Sequence, residues 1–239
     1  MNADQTYQNL LKKHIEEKDI IKDLGAFTRR MYMTRTLGHF ELFKKIYNLP
    51  GDIVELGVYK GETLLNFAKF LEILCPGDRT KKVIGFDHWK GLGNFTKEDG
   101  PGYEYCGSVE GGWNPSEFKN TLDQLIDTFH EDSFVPKAPR IQLVDGDINE
   151  TAHNFVKNNP GLRISLLHFD ADQYQPTLAG LKAFYPLVVT GGIVLFDEYG
   201  IKEWPGESKA FEEYFSGQPP KLTKFPYLST PGGWFIKGE

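Results

Sequence analysis

The chain has 239 residues, of which 27 are Lys or Arg and 33 Asp or Glu, giving a formal net charge of −6; 40% are hydrophobic and 25% charged. That balance is globular, the length suffices for a sizeable core, and the acidic excess argues against nucleic acid as the main partner, since phosphate binding needs clustered basic charge. No apolar run approaches the roughly 20 residues of a membrane span. Residues 1–22 are too polar for a signal peptide, and Cys75 and Cys106 form neither a disulfide framework nor a CxxC pair. The expectation is a reduced, cytoplasmic protein with no membrane partner.

Along the chain, residues 1–50 read as helical. Leu10, Leu11, Ile15, Ile20, Ile21 and Leu24 recur at helical spacing, and a second amphipathic stretch over 28–47 carries Met31, Leu37, Phe40, Phe43 and Ile46. Leu49-Pro50-Gly51 ends it. Short apolar runs at 52–57, 82–87, 140–144, 164–170 and 193–197 then read as strands, with helical patterns between them. Asn114-Pro115-Ser116-Glu117 has the form of a capping box, Pro176 opens another helix, and a further helix covers 205–215. Runs at 221–228 and 233–237, joined by Ser229-Thr230-Pro231-Gly232, read as a hairpin, so the last strand should be antiparallel. Strands alternating with helices imply an α/β, doubly wound, mostly parallel sheet, whose ligands sit outside the carboxyl ends of the strands. The division expected is an N-terminal helical segment, 1–50, serving as a cap or in oligomerisation, and one catalytic domain, 51–239.

Three groups of residues carry chemistry at those strand ends. The first strand runs into Glu55-Leu56-Gly57-Val58-Tyr59-Lys60-Gly61-Glu62-Thr63. Gly57 permits a tight turn, and Gly61 permits approach to a helix N-terminus, where free N–H groups favour an anion. Tyr59 stands at the second glycine of the dinucleotide fingerprint, which disfavours a pyrophosphate and leaves room for a smaller ligand with one carboxylate. Asp87, followed by His88, ends the second strand, where an acid can accept hydrogen bonds from ribose hydroxyls. A carboxylate to bind and a ribose to grip are the needs of S-adenosylmethionine. Glu55, Gly57, Tyr59, Gly61, Thr63, Asp87, His88, Gly146 and Asp147 are the candidate cofactor residues. Third, His168-Phe169-Asp170-Ala171-Asp172 ends the fourth strand, and Asp197-Glu198 ends the fifth, 27 and 28 residues after Asp170. Neighbouring parallel strands bring such acids together, and oxygen ligands with room for water suit Mg²⁺. Asp170, Asp197 and Glu198 are the candidate metal ligands, with Asp170 also the candidate catalytic residue. Solvated acids at strand ends are the plain alternative.

With these motifs in place, the chain resembles the macrocin O-methyltransferase family of class I S-adenosylmethionine-dependent methyltransferases. The resemblance rests on Tyr32-Met33-Thr34, Pro50-Gly51-Asp52-Ile53-Val54-Glu55-Leu56-Gly57-Val58, Lys60-Gly61, and Asp87 with Gly91-Leu92. It continues in Asp170-x-Asp172-x-Tyr174-x-Pro176-Thr177, Leu181, Tyr185-Pro186, Gly191-Gly192, Asp197 with Tyr199, and Pro205-Gly206. It implies a seven-stranded sheet with a reversed last strand and a divalent metal, usually Mg²⁺, held at Asp170, Asp197 and Glu198. It also implies a sugar or glycoside hydroxyl as acceptor and a homo-oligomer. The family usually has Asp at the position of Glu198, often Trp at Tyr59, and Ser or Thr at His88. Gln173 stands where catechol-type methyltransferases carry a lysine base. Methylation of another hydroxylated scaffold, phenolic or cephalosporin-like, and a non-catalytic S-adenosylmethionine-binding partner protein are the alternatives. The composition also shows 14% aromatic residues and 25 glycines. Many gather between Trp89 and Trp113, a long connection read as part of a lid over the acceptor. His168 is expected to be buried and structural, and Arg35, Tyr32 and Met33 to border either the site or the helix surface.

Overall fold

The computed structural model describes residues 28–239 together with Gln5, Thr6, Asn9, Lys12, Gly25 and Ala26. The helical readings at Leu10, Leu11, Ile15, Ile20, Ile21 and Leu24 lie outside the described residues. The chain forms α1 (Arg30–Ile46), β1 (Asp52–Leu56), α2 (Glu62–Leu74), β2 (Val83–Asp87), α3 (Lys119–Asp132), β3 (Ile141–Asp145) and α4 (Ile148–Asn158). These are followed by β4 (Ile164–Phe169), α5 (Tyr174–Phe184), β5 (Val188–Phe196), α6 (Pro205–Tyr214) and β6 (Gly233–Ile236).

The strands make one sheet in the order β3-β2-β1-β4-β5-β6, parallel except for β6, which runs antiparallel to β5. Among the described residues the sheet therefore has six strands, where seven were expected. The missing one is the 221–228 run. It meets β6 only through a bridge, Thr223 N–H to Trp234 O at 2.7 Å and the reverse at 2.9 Å. Pro226 removes a ladder donor, and the chain turns there, Leu228 N–H bonding to Phe225 O. Leu228 and Phe225 instead pack against Gly38 of α1, where a methyl group would have no room.

Side-chain alternation divides the core between the two faces of the sheet. Ile53, Val83, Leu166, Ile193 and Leu195 pack under α1, α2 and α3, whereas Val54, Ile84, Leu167, Val194 and Phe196 pack under α4, α5 and α6. The buried stripe of α1 is Gly38, His39, Leu42, Phe43 and Ile46. Met31 and Leu37, expected on the apolar face, are exposed, because only the second half of α1 lies on the sheet. α5 begins at Tyr174, two residues before Pro176; the proline sits in the first turn, where a missing N–H costs nothing. Asn114 accepts the Ser116 N–H and opens a 3-10 turn ahead of α3. At the amino end of the strands, the buried Lys81 ammonium donates to Gly51 O at 2.6 Å and Ser165 Oγ at 2.7 Å. No helix among the described residues is long and apolar enough to cross a membrane.

Candidate active site

β1 leads outward through β2 to β3, and β4 leads the other way through β5, so the order reverses between β1 and β4. Ligands of such sheets bind at this switch point, beyond the carboxyl ends of the strands. A cleft of about 730 Å³, mouth included, opens there.

Its floor is the turn after β1. Gly57 has φ +90° and Gly61 φ +81°, a region L side chains avoid. Asp87 holds the turn: Oδ2 accepts the N–H groups of Val58 and Tyr59, both at 2.9 Å, and Oδ1 accepts that of Trp89 at 2.7 Å. The carboxylate thus organises the backbone around the pocket it lines. Of the candidate cofactor residues, Gly57, Tyr59, Asp87, His88 and Asp147 line the cleft. Glu55, Gly61, Thr63 and Gly146 do not. Gly61 is packed against Leu122 of α3, Gly146 against Thr151, and Glu55 is buried beside His168, its register partner on β4.

The connection between β2 and α3 forms the opposite wall. Gly91, Leu92, Gly93, Asn94 and Trp113 line the cleft, and the Trp113 ring meets Tyr59 edge-on at 5.5 Å. This segment is anchored. The Gln173 amide donates to Gly93 O at 2.8 Å and accepts Gly93 N–H at 3.4 Å, while the Asp99 carboxylate accepts the Tyr174 N–H at 2.6 Å. Tyr59, Trp113 and Asp172, all cleft residues, have φ of +52°, +49° and +63°. Side chains held in that region cluster where the surrounding structure imposes them, commonly at functional sites.

Beside the cleft stand the acids. β4 and β5 pair in register at Phe169–Phe196, and the Asp197 N–H bonds to Phe169 O at 3.0 Å, so Asp170 and Asp197 emerge side by side. One carboxylate oxygen from each of Asp170, Asp197 and Glu198 lies within 4.8 Å of the others. Arg35 of α1 reaches into this group: Nη1 donates to both Asp197 oxygens, at 2.6 and 2.7 Å, and Nη2 to Asp170 Oδ2 at 2.6 Å. His168, fully buried, faces Glu55 Oε1 at 3.3 Å and Asp197 Oδ1 at 3.7 Å, at ion-pair rather than hydrogen-bond geometry. Burial opposes its charge, but Asp197 and Glu55 outweigh burial and raise its pKa to about 9. The ring thus lies between two acids, one on β1 and one at the end of β5, and its nitrogens also come within reach of Asp170 at 4.0 Å.

The carboxyls respond unequally. Burial and the Asp197 charge push Asp170 up to about 7, against Arg35 and His168. Asp197 is the more buried of the two, yet Arg35 and His168 hold it below the ordinary carboxylate range. Asp172, Glu198 and Glu207 are all raised, by burial first and then by neighbouring acids. Glu207 was not singled out from the sequence, where it reads as an acid in the first turn of a helix. It is fully buried and accepts the Glu198 N–H at 2.9 Å. One oxygen of Glu198 and one of Glu207 are buried without a hydrogen-bond partner. Six acids, Glu55 included, thus gather around Arg35 and His168, and orphaned buried oxygens of this kind suit a hard divalent cation.

With this geometry in view, comparison with known proteins is decisive. Residues 5–218 match the family described as Macrocin-O-methyltransferase (TylF). The chain belongs to that family. Mycinamicin III 3''-O-methyltransferase of Micromonospora griseorubida is 25% identical over 169 residues, which are 70% of this chain but 61% of that relative. The crystal structure of CalS11, a calicheamicin methyltransferase, superposes with a TM-score of 0.89 at 30% identity, covering 98% of this chain and 91% of that one. The apo structure of CalS11, described as a TDP-rhamnose 3'-O-methyltransferase, gives 0.81 at 28% identity, covering 98% and 93%. The family and the fold are those of S-adenosylmethionine-dependent O-methyltransferases.

Proposed function

We propose that the protein is a metal-dependent O-methyltransferase that transfers a methyl group from S-adenosylmethionine to a hydroxyl of a deoxysugar or a glycosylated natural product. One observation carries this reading: Asp170 belongs both to the cofactor cleft and to the acid cluster. A group bound in the cleft and a hydroxyl at the acids would therefore be neighbours. The sugar acceptor is supported by CalS11 and the mycinamicin enzyme, whose names specify sugar positions.

S-adenosylmethionine supplies an electrophilic methyl whose carbon–sulfur bond breaks as the carbon–oxygen bond forms, leaving S-adenosylhomocysteine, a methyl ether and a proton. A divalent cation held by Asp170, Asp197 and Glu198 would polarise the acceptor hydroxyl and lower its pKa. The chain's own contribution is placement. The Asp87-held turn fixes the cleft floor, the Gln173-anchored wall closes its side, and the register of β4 with β5 sets the separation of the acids. Such positioning supplies much of the rate gain in a displacement that needs no acyl or phosphoryl intermediate. Gln173 stands where a phenol-type lysine base would, and its amide is engaged by Gly93, which favours the sugar reading.

The test is turnover on nucleotide-activated deoxysugars, macrolide glycosides and catechols, with and without EDTA. Metal-dependent methylation of a sugar hydroxyl is expected. Asp197→Ala should abolish turnover while calorimetry still detects cofactor binding. Turnover that survives EDTA would remove the acids from the reaction, and a preference for catechol would remove the sugar.

A further inference from the structure

Arg35 is an unusual occupant for a set of acids suited to a metal. Its guanidinium takes both oxygens of Asp197 and one of Asp170, and Nη1 also donates to Thr230 Oγ1 at 3.1 Å. Two of the three candidate ligands are thus already engaged by a positive group. A divalent cation drawn to those oxygens would meet the guanidinium on the same carboxylates, charge against like charge, so the two would compete for them.

We infer that Arg35 and the divalent cation are alternative occupants of the acid cluster, and that metal binding releases Arg35 and with it the first half of α1. This rests on the metal reading above and adds a mechanical consequence to it. α1 is built for such release. From Gly38 onward its inner face is buried against the sheet. Before Gly38, Met31, Tyr32, Met33 and Leu37 are exposed. Arg35, in this half, ties the helix to residues 135, 162 and 195 positions away. Exchange would keep the cluster compensated throughout. Arg35 covers the acids before the metal arrives, and its release opens the side of the site that α1 overlies.

Manganese titration by calorimetry into wild type, Arg35→Met and Arg30→Gln tests this, with amide hydrogen exchange of the wild type measured with and without Mn²⁺. Arg30 lies on the same helix and is exposed, so its variant controls for generic loss of positive charge. Arg35→Met should bind Mn²⁺ at least tenfold more tightly than wild type, with Arg30→Gln within twofold. In wild type, Mn²⁺ should accelerate exchange over residues 30–37 and leave 39–46 unchanged. If Arg35→Met does not fold, Arg35→Lys, which cannot bridge two carboxylates with one planar fork, should give an intermediate gain. Equal Mn²⁺ affinity in wild type and the Arg35 variant, or slower exchange over 30–37 with metal, overturns the exchange alone. No Mn²⁺ binding by either protein overturns the metal reading and the exchange together.

Discussion

The backbone carbonyl of Asp170 occupies the space that a side chain at Gly57 would need. The turn that floors the cleft and the acid at its edge are therefore in direct backbone contact across β1 and β4, a contact reinforced by the Asp170 N–H bond to Leu56 O at 2.8 Å. Gly57→Ala must both adopt φ near +90° and displace Asp170. It should cost about 2–4 kcal/mol in urea unfolding and lose cofactor affinity and turnover together.

Asp87 holds the backbone that floors the cleft. Asp87→Ala leaves the N–H groups of Val58, Tyr59 and Trp89 without their acceptor. A stability loss of about 1–3 kcal/mol is expected, accompanied by weaker binding of S-adenosylhomocysteine in calorimetry. Lost affinity at unchanged stability would instead show that the carboxylate acts only by contacting ligand.

Gln173 ties the β2–α3 connection to the end of β4. Gln173→Glu removes the donor to Gly93 O and sets a carboxylate against that carbonyl. Amide exchange over residues 91–99 should accelerate about tenfold, in line with roughly 1–2 kcal/mol for the lost hydrogen bond. Exchange in β1 should stay unchanged.

Lys81 gives the fold a pH dependence with a defined sign. Burial lowers its pKa from 10.5 to about 8. Between those values the unfolded chain holds a proton that the folded chain has released, so this group's contribution to stability rises as pH rises from about 8 to 10.5. The gain is about 3 kcal/mol at most. Wild type should gain stability relative to Lys81→Met across that window, measured by denaturant unfolding at several pH values. A difference independent of pH would contradict the assignment.

Much of the fold was readable because its signals are local. Short apolar runs marked five parallel strands, and glycines marked the turn after β1. The 221–228 run misled for an equally local reason: with the short link to 233–237 it reads as one arm of a hairpin, but Pro226 and the packing of Leu228 on α1 turn it away from β6. At the site, the acids at strand ends were visible as motifs, and their convergence followed from parallel pairing. Glu207 was not, since nothing in Pro205-Gly206-Glu207 distinguishes a buried acid from an exposed first-turn one. Arg35 lies 135 residues from Asp170 in the chain, and no spacing rule connects a helix residue to acids that distant. The pairing of Glu55 with His168 likewise depends on strand register, which hydrophobic pattern alone leaves open.

The connection from Leu92 to Gly112 leaves and returns at one point: Leu92 N–H bonds to Gly112 O at 2.8 Å, and Gly111 N–H bonds to Leu92 O at 2.7 Å. It is thus a cassette with a stapled neck, set beside the acids but contributing none of them. A lineage could exchange the whole insert for another of different size or shape, keeping the neck and the Gly93 and Asp99 anchor points, without altering the spacing of a single carboxylate. The shape of the cleft wall and the placement of the acids would then evolve on separate parts of the chain.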